Sequence, residues 1–157
     1  MPKFAYKFFA ITVLIGATLA AHAQTRIIYS DTADPHHDIQ QALTQAKREH
    51  KRVILDFGGN WCGDCQVLDI YFHQEQNLSL LEKNFILVHV NVGHYDKNMD
   101  VAAKYQIPVD HGVPALAVLD ANGKILYGQR KGEFKSMRKM DPQSVTEFLN
   151  EWKLTKI

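Results

Sequence analysis

The stretch VILDFGGNWCGDCQVLDIYF at residues 53–72 decides how this chain folds. Its first five residues, Val53 to Phe57, form an apolar run that predicts a buried strand. After the motif Trp61-Cys62-Gly63-Asp64-Cys65, apolar residues at positions 67, 68, 71 and 72 follow the period of a helix. The chain has only two cysteines, and the pattern places both at the junction between this strand and this helix.

Cys62 is predicted to open that helix. There, unpaired backbone N–H groups and the positive end of the helix dipole lower the pKa of a thiol and make it nucleophilic. Cys65 follows one turn inside the helix. A disulfide between the two closes too small a loop to constrain the unfolded chain much, so a catalytic pair is a better interpretation than a structural crosslink.

The N-terminal segment, residues 1–23, has the pattern of an export signal. Lys3 and Lys7 precede an apolar stretch that is short for a membrane span, and small residues stand where a signal peptidase reads. We expect cleavage before Gln24, which leaves one domain over residues 24–157. An uncleaved N-terminal anchor is the alternative.

The charge of the remaining chain is nearly balanced. Without Lys3 and Lys7 it has 16 basic residues against 17 acidic ones, which gives no reason to expect a nucleic-acid partner. About 130 residues suit one hydrophobic core, and a second domain does not fit. We expect the protein to act as a monomer.

Hydrophobic periodicity predicts the element order β-α-β-α-β-α-β-β-α. Ile27 to Tyr29 is predicted as the first strand, and Asp34-Pro35 as the cap and first residue of the helix that follows. Asp120 to Gly123 predicts the turn of a hairpin. The other predicted elements are a helical piece at 79–83, a strand at 85–92, a helix at 99–105, hairpin strands at 115–119 and 124–127, and a helix beginning at Asp141-Pro142.

This order and three sequence features resemble the thioredoxin superfamily. Asp56 stands six residues before Cys62, Trp61 precedes Cys62 directly, and Val113-Pro114 precedes the hairpin. In finer detail, residues 77–92 are similar to exported thioredoxin-like proteins related to the C-terminal domain of the electron carrier DsbD. The resemblance implies an α/β thioredoxin fold, with a central mixed β-sheet flanked by helices and a C-terminal β-hairpin and helix.

The chain departs from common members of the superfamily at four places. The dipeptide between the cysteines is Gly63-Asp64 rather than Gly-Pro, and Gln66 replaces a basic residue. Gly58-Gly59 precede Asn60, and His89 stands about where many members have a lysine near the buried aspartate. These changes leave the chemistry intact but bear on the redox potential and the choice of partner.

The resemblance implies a thiol-disulfide oxidoreductase without a cofactor other than its own redox-active Cys62–Cys65 disulfide. Cys62 would attack a substrate disulfide, and Cys65 would resolve the mixed disulfide that forms. Asp56 would accept the proton of Cys65, because a carboxylate buried without a partner has a raised pKa. The alternative is that Asp56 lies on an edge strand and faces solvent.

Substrate contacts are expected from the residues around the cysteines. Pro114 is expected to be cis, which would leave the backbone of Val113 free to pair with an extended substrate segment. Trp61 and Gly63 would flank the reactive sulfur. Asp64 would disfavour the Cys62 thiolate and make the protein more reducing, unless its carboxylate points into water.

Other functions remain open. The same exchange could run in the oxidising or isomerising direction. A Cu(I)-binding metallochaperone on this fold would combine the cysteines with one of the eight histidines, although such proteins usually space their cysteines by three residues. A structural zinc site would need about four protein ligands, and there is no second cysteine pair. A non-catalytic binding module would be expected to lack one cysteine.

The expected partners follow from this reading. They are disulfide-containing protein substrates and, because an exported reductase must be recharged, a membrane electron donor. The expected location is the periplasm or another exported compartment. The basic run at 129–140 is expected to be a solvated loop, with docking to an acidic partner as the alternative.

Overall fold

The computed structural model describes residues 27–154. The expected export signal and its cleavage point lie outside these residues. Within the described range, no helix has both the length and the hydropathy needed to cross a membrane.

Helices and strands alternate along the described chain much as the sequence predicts. In order, they are α1 (Pro35–Glu49), β1 (Arg52–Gly58), α2 (Gly63–Phe72), α3 (Glu75–Asn84), β2 (Phe85–Asn91), α4 (Met99–Lys104), β3 (Ala115–Leu119), β4 (Ile125–Gly128) and α5 (Gln143–Trp152). Two 3-10 turns, Val109–His111 and Met137–Lys139, interrupt the loops before β3 and α5.

The four strands form one mixed sheet in the order β2-β1-β3-β4. β1 pairs with β2 in parallel and with β3 antiparallel, and β4 completes the hairpin. Apolar side chains form two buried clusters, one that includes residues of α1 and α4 and one that includes residues of α2, α3 and α5. The predicted thioredoxin fold, with its central mixed sheet, hairpin and last helix, is confirmed.

The helices that flank β1 begin where the sequence predicts. The Asp34 carboxylate accepts hydrogen bonds from the backbone N–H groups of His36 and His37, at 3.0 and 3.4 Å, and so caps α1. Cys62 is the N-cap of α2. β1 is an inner strand, and all but its first residue are buried, so it fixes the position of the cysteines against the core.

The predicted first strand at Ile27 to Tyr29 is wrong. The backbone N–H groups of Ile28 and Tyr29 donate to Asn60 Oδ1 at 2.8 and 3.0 Å. Asn60 Nδ2 donates in return to the carbonyl oxygen of Tyr29 at 2.7 Å. A side-chain amide therefore satisfies the backbone of this segment, which packs beside the site without joining the sheet.

Two other predictions need correction. The helical piece at 79–83 is a longer helix, Glu75–Asn84, because the buried polar side chain of Asn77 is satisfied there by Tyr71 O and Thr146 Oγ1. The basic run at 129–140 is not simply a solvated loop. Its cationic side chains are exposed, but Phe134 and Met137 are buried in the core and hold the segment against the body of the domain.

Candidate active site

Cys62 and Cys65 are joined by a disulfide, with their Cα atoms 5.2 Å apart. As the N-cap of α2, Cys62 accepts a hydrogen bond at its Sγ from the backbone N–H of Cys65, at 3.1 Å. Cys62 is 5% exposed, whereas Cys65 is fully buried. Only Cys62 is accessible to a protein substrate, so the geometry favours Cys62 as the attacking sulfur and Cys65 as the resolving one.

The loop before β3 faces the reactive sulfur. The Val113–Pro114 peptide bond is cis, as the family resemblance led us to expect, and the carbonyl oxygen of Val113 lies 3.6 Å from Cys62 Sγ. Among the described residues, Val113 makes no backbone–backbone hydrogen bond. Its N–H and C=O groups are therefore available to an extended segment lying across the cysteine pair.

Gln129 supports this loop from behind, a role that the sequence analysis missed. Its side chain is buried, donates from Nε2 to Pro114 O at 3.1 Å and accepts from the Leu116 N–H at 3.3 Å. Its backbone N–H also donates to Leu116 O at 2.9 Å. One residue of the hairpin thus fixes the chain on both sides of Ala115.

Asp64 does not point freely into water. Its Oδ1 accepts the backbone N–H of Arg138 at 2.9 Å, and its Oδ2 accepts the Arg138 guanidinium at 3.0 Å. Burial raises the pKa of Asp64, but the Arg138 hydrogen bonds and charge outweigh it, so the pKa of this carboxyl lies below its usual value. The carboxylate stays ionised beside Cys62 with a cation already attached.

Asp56 is fully buried in the middle of β1. It lies opposite His89 in the parallel register of β1 and β2, and its Oδ2 is 2.9 Å from His89 Nδ1. The alternative of a solvent-facing aspartate on an edge strand is therefore wrong. Oδ1 accepts no hydrogen bond from the described residues, so the carboxylate retains lone pairs that can receive a proton.

The hydroxyl of Tyr29 is the third group at this buried centre. It donates to Asp56 Oδ2 at 2.8 Å. Burial, followed by the charge of Asp56, raises the pKa of Tyr29 well above its usual value. Sequence reasoning assigned this residue to a strand and missed its role, because a contact with a partner 27 positions away leaves no local signal.

Gly58 explains one of the departures from common family sequences. A β-carbon at this position would lie 2.9 Å from Cys65 Sγ, 2.6 Å from Tyr29 Cζ and closer still to the Tyr29 hydroxyl oxygen. Glycine is therefore needed for close packing here. By the same geometry, the Tyr29 hydroxyl oxygen lies at most 5.3 Å from Cys65 Sγ.

Trp61 belongs to an exposed aromatic cluster next to the cysteines. Its indole Nε1 donates to Gly93 O at 2.6 Å, and its ring is stacked on His94 and edge-on to Tyr95. Trp61 remains 46% exposed. The three rings form an aromatic surface next to the cysteine motif. The sequence predicted only Trp61 as part of this surface.

The histidines within the described part of the chain do not converge on a common point. Within residues 27–154, no three His, Cys, Asp or Glu side chains are grouped as a metal site would require. Several histidines have other contacts: His36 with Asp100, His37 with Gln41, His73 with Asp69, His89 with Asp56, His94 with Trp61 and His111 with Arg130.

This chain is similar to known proteins both in sequence and in structure. A family model described as Thioredoxin-like matches residues 34–121, which include the cysteines, Asp56 and Pro114. A solved structure of a disulphide isomerase from Xylella fastidiosa Temecula1 is 34% identical, with a TM-score of 0.78. That likeness covers 82% of this chain and 98% of the other.

The curated proteins that are similar to this chain include thioredoxins and DsbD proteins. Thioredoxin of Mus musculus is 33% identical over 112 residues, which make up 69% of this chain and 89% of thioredoxin. The thiol:disulfide interchange protein DsbD of Vibrio vulnificus (strain CMCP6) is 27% identical over 94 residues. These residues are 59% of this chain but only 15% of DsbD, so the likeness concerns a small part of that protein.

Proposed function

The chain belongs to the thioredoxin-like family of thiol-disulfide oxidoreductases, and we propose that it is an exported reductase of protein disulfides. The observation that carries this proposal is the asymmetry of the cysteine pair. Cys62 caps α2 and reaches the surface, whereas Cys65 is fully buried. An accessible sulfur followed by a buried one suits attack on a substrate and then intramolecular resolution.

The reaction proceeds in two exchanges. The Cys62 thiolate attacks one sulfur of the substrate disulfide, forms a mixed disulfide and releases the other substrate sulfur as a thiolate that takes a proton. Cys65 then gives up its proton, attacks Cys62 Sγ and releases the second substrate thiolate. The substrate gains two electrons, and the enzyme is left with the Cys62–Cys65 disulfide.

Asp56 is the proposed base of the second exchange. The carboxylate is buried with Cys65 in the core and has acceptor capacity to spare at Oδ1. A buried base assists this step because the resolving thiol is shielded from water, so bulk hydroxide or buffer cannot deprotonate it directly. At the end of the cycle, the substrate thiolate released by the second exchange takes up a proton and becomes a thiol.

The substrate is proposed to lie extended across the loop before β3. The free backbone groups of Val113 can pair with a strand-like segment, while Trp61 contacts the side chains that flank the substrate cysteine. Pro114 and Gly63 are proposed to contribute further contacts to the substrate. Because these contacts are made largely to the substrate backbone, they depend little on the substrate sequence. Such low selectivity suits a reductase that acts on many disulfides.

The reducing direction is proposed from the charges near Cys62. The ionised carboxylate of Asp64 follows two positions later, and the Val113 carbonyl oxygen lies 3.6 Å from the sulfur. Both disfavour a thiolate and thereby favour the disulfide form of the enzyme. The Arg138 cation offsets part of the Asp64 effect, so we expect a moderately reducing protein rather than an extreme one.

Export and recharging complete the proposal. The N-terminal residues 1–23 have the pattern of a signal peptide, and a reductase outside the cytoplasm needs a source of electrons. A membrane protein that passes electrons through its own cysteine pair is the proposed donor. The mature chain over residues 24–157 is proposed to act in the periplasm, as a monomer.

The test is reduction of insulin disulfides by the mature chain with dithiothreitol as electron source, together with the equilibrium potential against glutathione. We expect turnover that is abolished in Cys62→Ser, a mixed disulfide that accumulates in Cys65→Ser, and a potential nearer to thioredoxin, about −270 mV, than to DsbA, about −120 mV. Turnover that survives in Cys62→Ser contradicts the mechanism, and a potential close to that of DsbA contradicts the direction.

A further inference from the structure

The Tyr29 hydroxyl lies near both groups that must exchange a proton during resolution. It donates a 2.8 Å hydrogen bond to Asp56 Oδ2, and the distances around Gly58 place it at most 5.3 Å from Cys65 Sγ. Tyr29 is fully buried. A hydroxyl can donate one proton while it accepts another, so this group can connect the thiol to the carboxylate.

The surrounding structure holds the hydroxyl in this position. The side-chain amide of Asn60 makes three hydrogen bonds of 2.7 to 3.0 Å to the backbone of Ile28 and Tyr29. These bonds fix the backbone from which the Tyr29 side chain extends. The Tyr29 ring also packs edge-on against the imidazole of His89, with centroids 5.4 Å apart. The residue before the cysteine motif and the residue beside the buried carboxylate therefore both orient the same side chain.

Ionisable groups face the Tyr29 hydroxyl from three elements. Asp56 comes from β1, His89 from β2 and Asp69 from α2. Asp69 in turn has its Oδ1 3.3 Å from His73 Nδ1. Burial and both carboxylates raise the pKa of Tyr29, so the hydroxyl stays protonated at neutral pH. Tyr29 can pass a proton along but cannot hold the negative charge, whereas Asp56 can accept a proton and become neutral.

We propose that Tyr29 relays the proton of Cys65 to Asp56 in the resolving step. The Cys65 thiol proton moves to the Tyr29 oxygen as the Tyr29 proton moves to Asp56 Oδ2, and the Cys65 thiolate attacks Cys62 Sγ. Tyr29 ends unchanged and Asp56 ends protonated. His89, whose side chain is 24% exposed, then gives this proton a route to solvent and restores the carboxylate.

This inference rests on the proposed reductase chemistry, and its test separates the two. A peptide cyclised by one disulfide is mixed at saturating concentration with the reduced enzyme, and the mixed disulfide is quantified by acid quench and alkylation. For Tyr29→Phe we expect unchanged formation of the mixed disulfide and resolution slowed by about 100-fold, which is the lower range for loss of acid–base assistance. Tyr105→Phe is the matched control, since Tyr105 is buried in the same cluster.

Each outcome bears on one of the two proposals. If the wild-type protein forms no mixed disulfide, the reductase function fails. If Tyr29→Phe resolves the mixed disulfide as fast as Tyr105→Phe while Asp56→Asn is slow, the relay through Tyr29 is wrong and Asp56 acts without it. If Tyr29→Phe is slow and adds nothing to the defect of Asp56→Asn, the two residues share one path, as proposed.

A measurement on the unmodified protein covers the case in which Tyr29→Phe does not fold. The relay moves two protons in one step, so the resolution rate in mixtures of H₂O and D₂O should depend on deuterium content along a curve. A straight line means that a single proton moves, and it would rule the relay out.

Discussion

Asp64 and Arg138, 74 positions apart, form a two-point contact at the edge of the cysteine motif. The Asp64 side chain is only 13% exposed, whereas the Arg138 side chain is 67% exposed. The pair joins the first turn of α2 to the 3-10 turn Met137–Lys139. The residue that most distinguishes this motif from Gly-Pro versions is thus a charge whose effect on Cys62 depends on a distant loop.

Breaking this contact from either side should move the redox potential in opposite directions. Arg138→Ala leaves the Asp64 carboxylate uncompensated, which disfavours the Cys62 thiolate and makes the potential more negative. Asp64→Asn removes the carboxylate and makes it less negative. We expect shifts of about 10 to 30 mV each, since 30 mV corresponds to about 1.4 kcal/mol for two electrons, measured by equilibrium with glutathione.

Lys124→Ala is the matched control for this prediction, because Lys124 is an exposed lysine of the hairpin turn and is not one of the cations that lower the pKa of the Asp64 carboxyl. Its potential should stay close to that of the wild-type protein. Shifts of the same sign in Arg138→Ala and Asp64→Asn would contradict the electrostatic account. High salt should shrink both shifts, because it screens exposed charges.

Acid should abolish the contribution of the same pair to stability. The pKa of Asp64 is lower in the folded protein than its ordinary value, so the stabilising effect is complete above the unfolded-state pKa and disappears as the pH falls through the folded-state pKa. The thermal midpoint of Arg138→Ala should therefore lie below that of the wild-type protein at neutral pH and converge with it in acid. A gap that stays constant on acidification means that Arg138 contributes through packing alone.

Asp56→Asn should slow resolution without slowing attack. The amide cannot accept the Cys65 proton, so mixed disulfides should accumulate during turnover, and the rate should drop by about 100-fold, the lower range for general-base catalysis. Quenching and alkylation of the reaction across neutral and mildly alkaline pH measures the trapped species. Equal turnover of Asp56→Asn and the wild-type protein at every pH would remove Asp56 from the mechanism.

The sequence predicts the cysteine site well because its signals are local. A strand, a capping cysteine and a helical period lie within 20 consecutive residues, and the order of the later elements follows from similar patterns. Tyr29, Gln129 and Arg138 could not be found in this way. Each acts through a side-chain contact with a residue at least 13 positions away, and no periodicity or capping rule encodes such a partner.

The incorrect prediction of a first strand at Ile27 to Tyr29 also results from a side-chain contact with a residue distant in the sequence. Ile27 to Tyr29 has the composition of a strand, and β-propensity measures little more than fit to a half-buried surface. The segment is instead held by the side chain of Asn60, which sequence reasoning treated as part of an unusual loop. Tertiary contact therefore decided whether this apolar segment became a strand.

Gly58→Ala should destabilise the domain and disturb the site together. The added methyl group would overlap the Tyr29 side chain and approach Cys65 Sγ, and overpacking of this kind costs about 1 to 3 kcal/mol in the free energy of unfolding. Denaturant unfolding of the oxidised protein measures this cost. Gly63→Ala is the control, because a methyl group there would be 3.6 Å from Arg138, an ordinary contact; equal stability of the two variants would contradict the close packing around Gly58.

Asn60→Ala should release the N-terminal segment from the site. Three hydrogen bonds are lost, and at about 1 kcal/mol each the free energy of unfolding should fall by about 2 to 3 kcal/mol. Amide hydrogen exchange at Ile28 and Tyr29 should quicken more than exchange in β1, since only the segment loses its partners. Asn122→Ala, in the exposed hairpin turn, is the control. If exchange at Tyr29 is unchanged in Asn60→Ala, then packing of the Tyr29 ring in the core, rather than Asn60, holds its hydroxyl against Asp56.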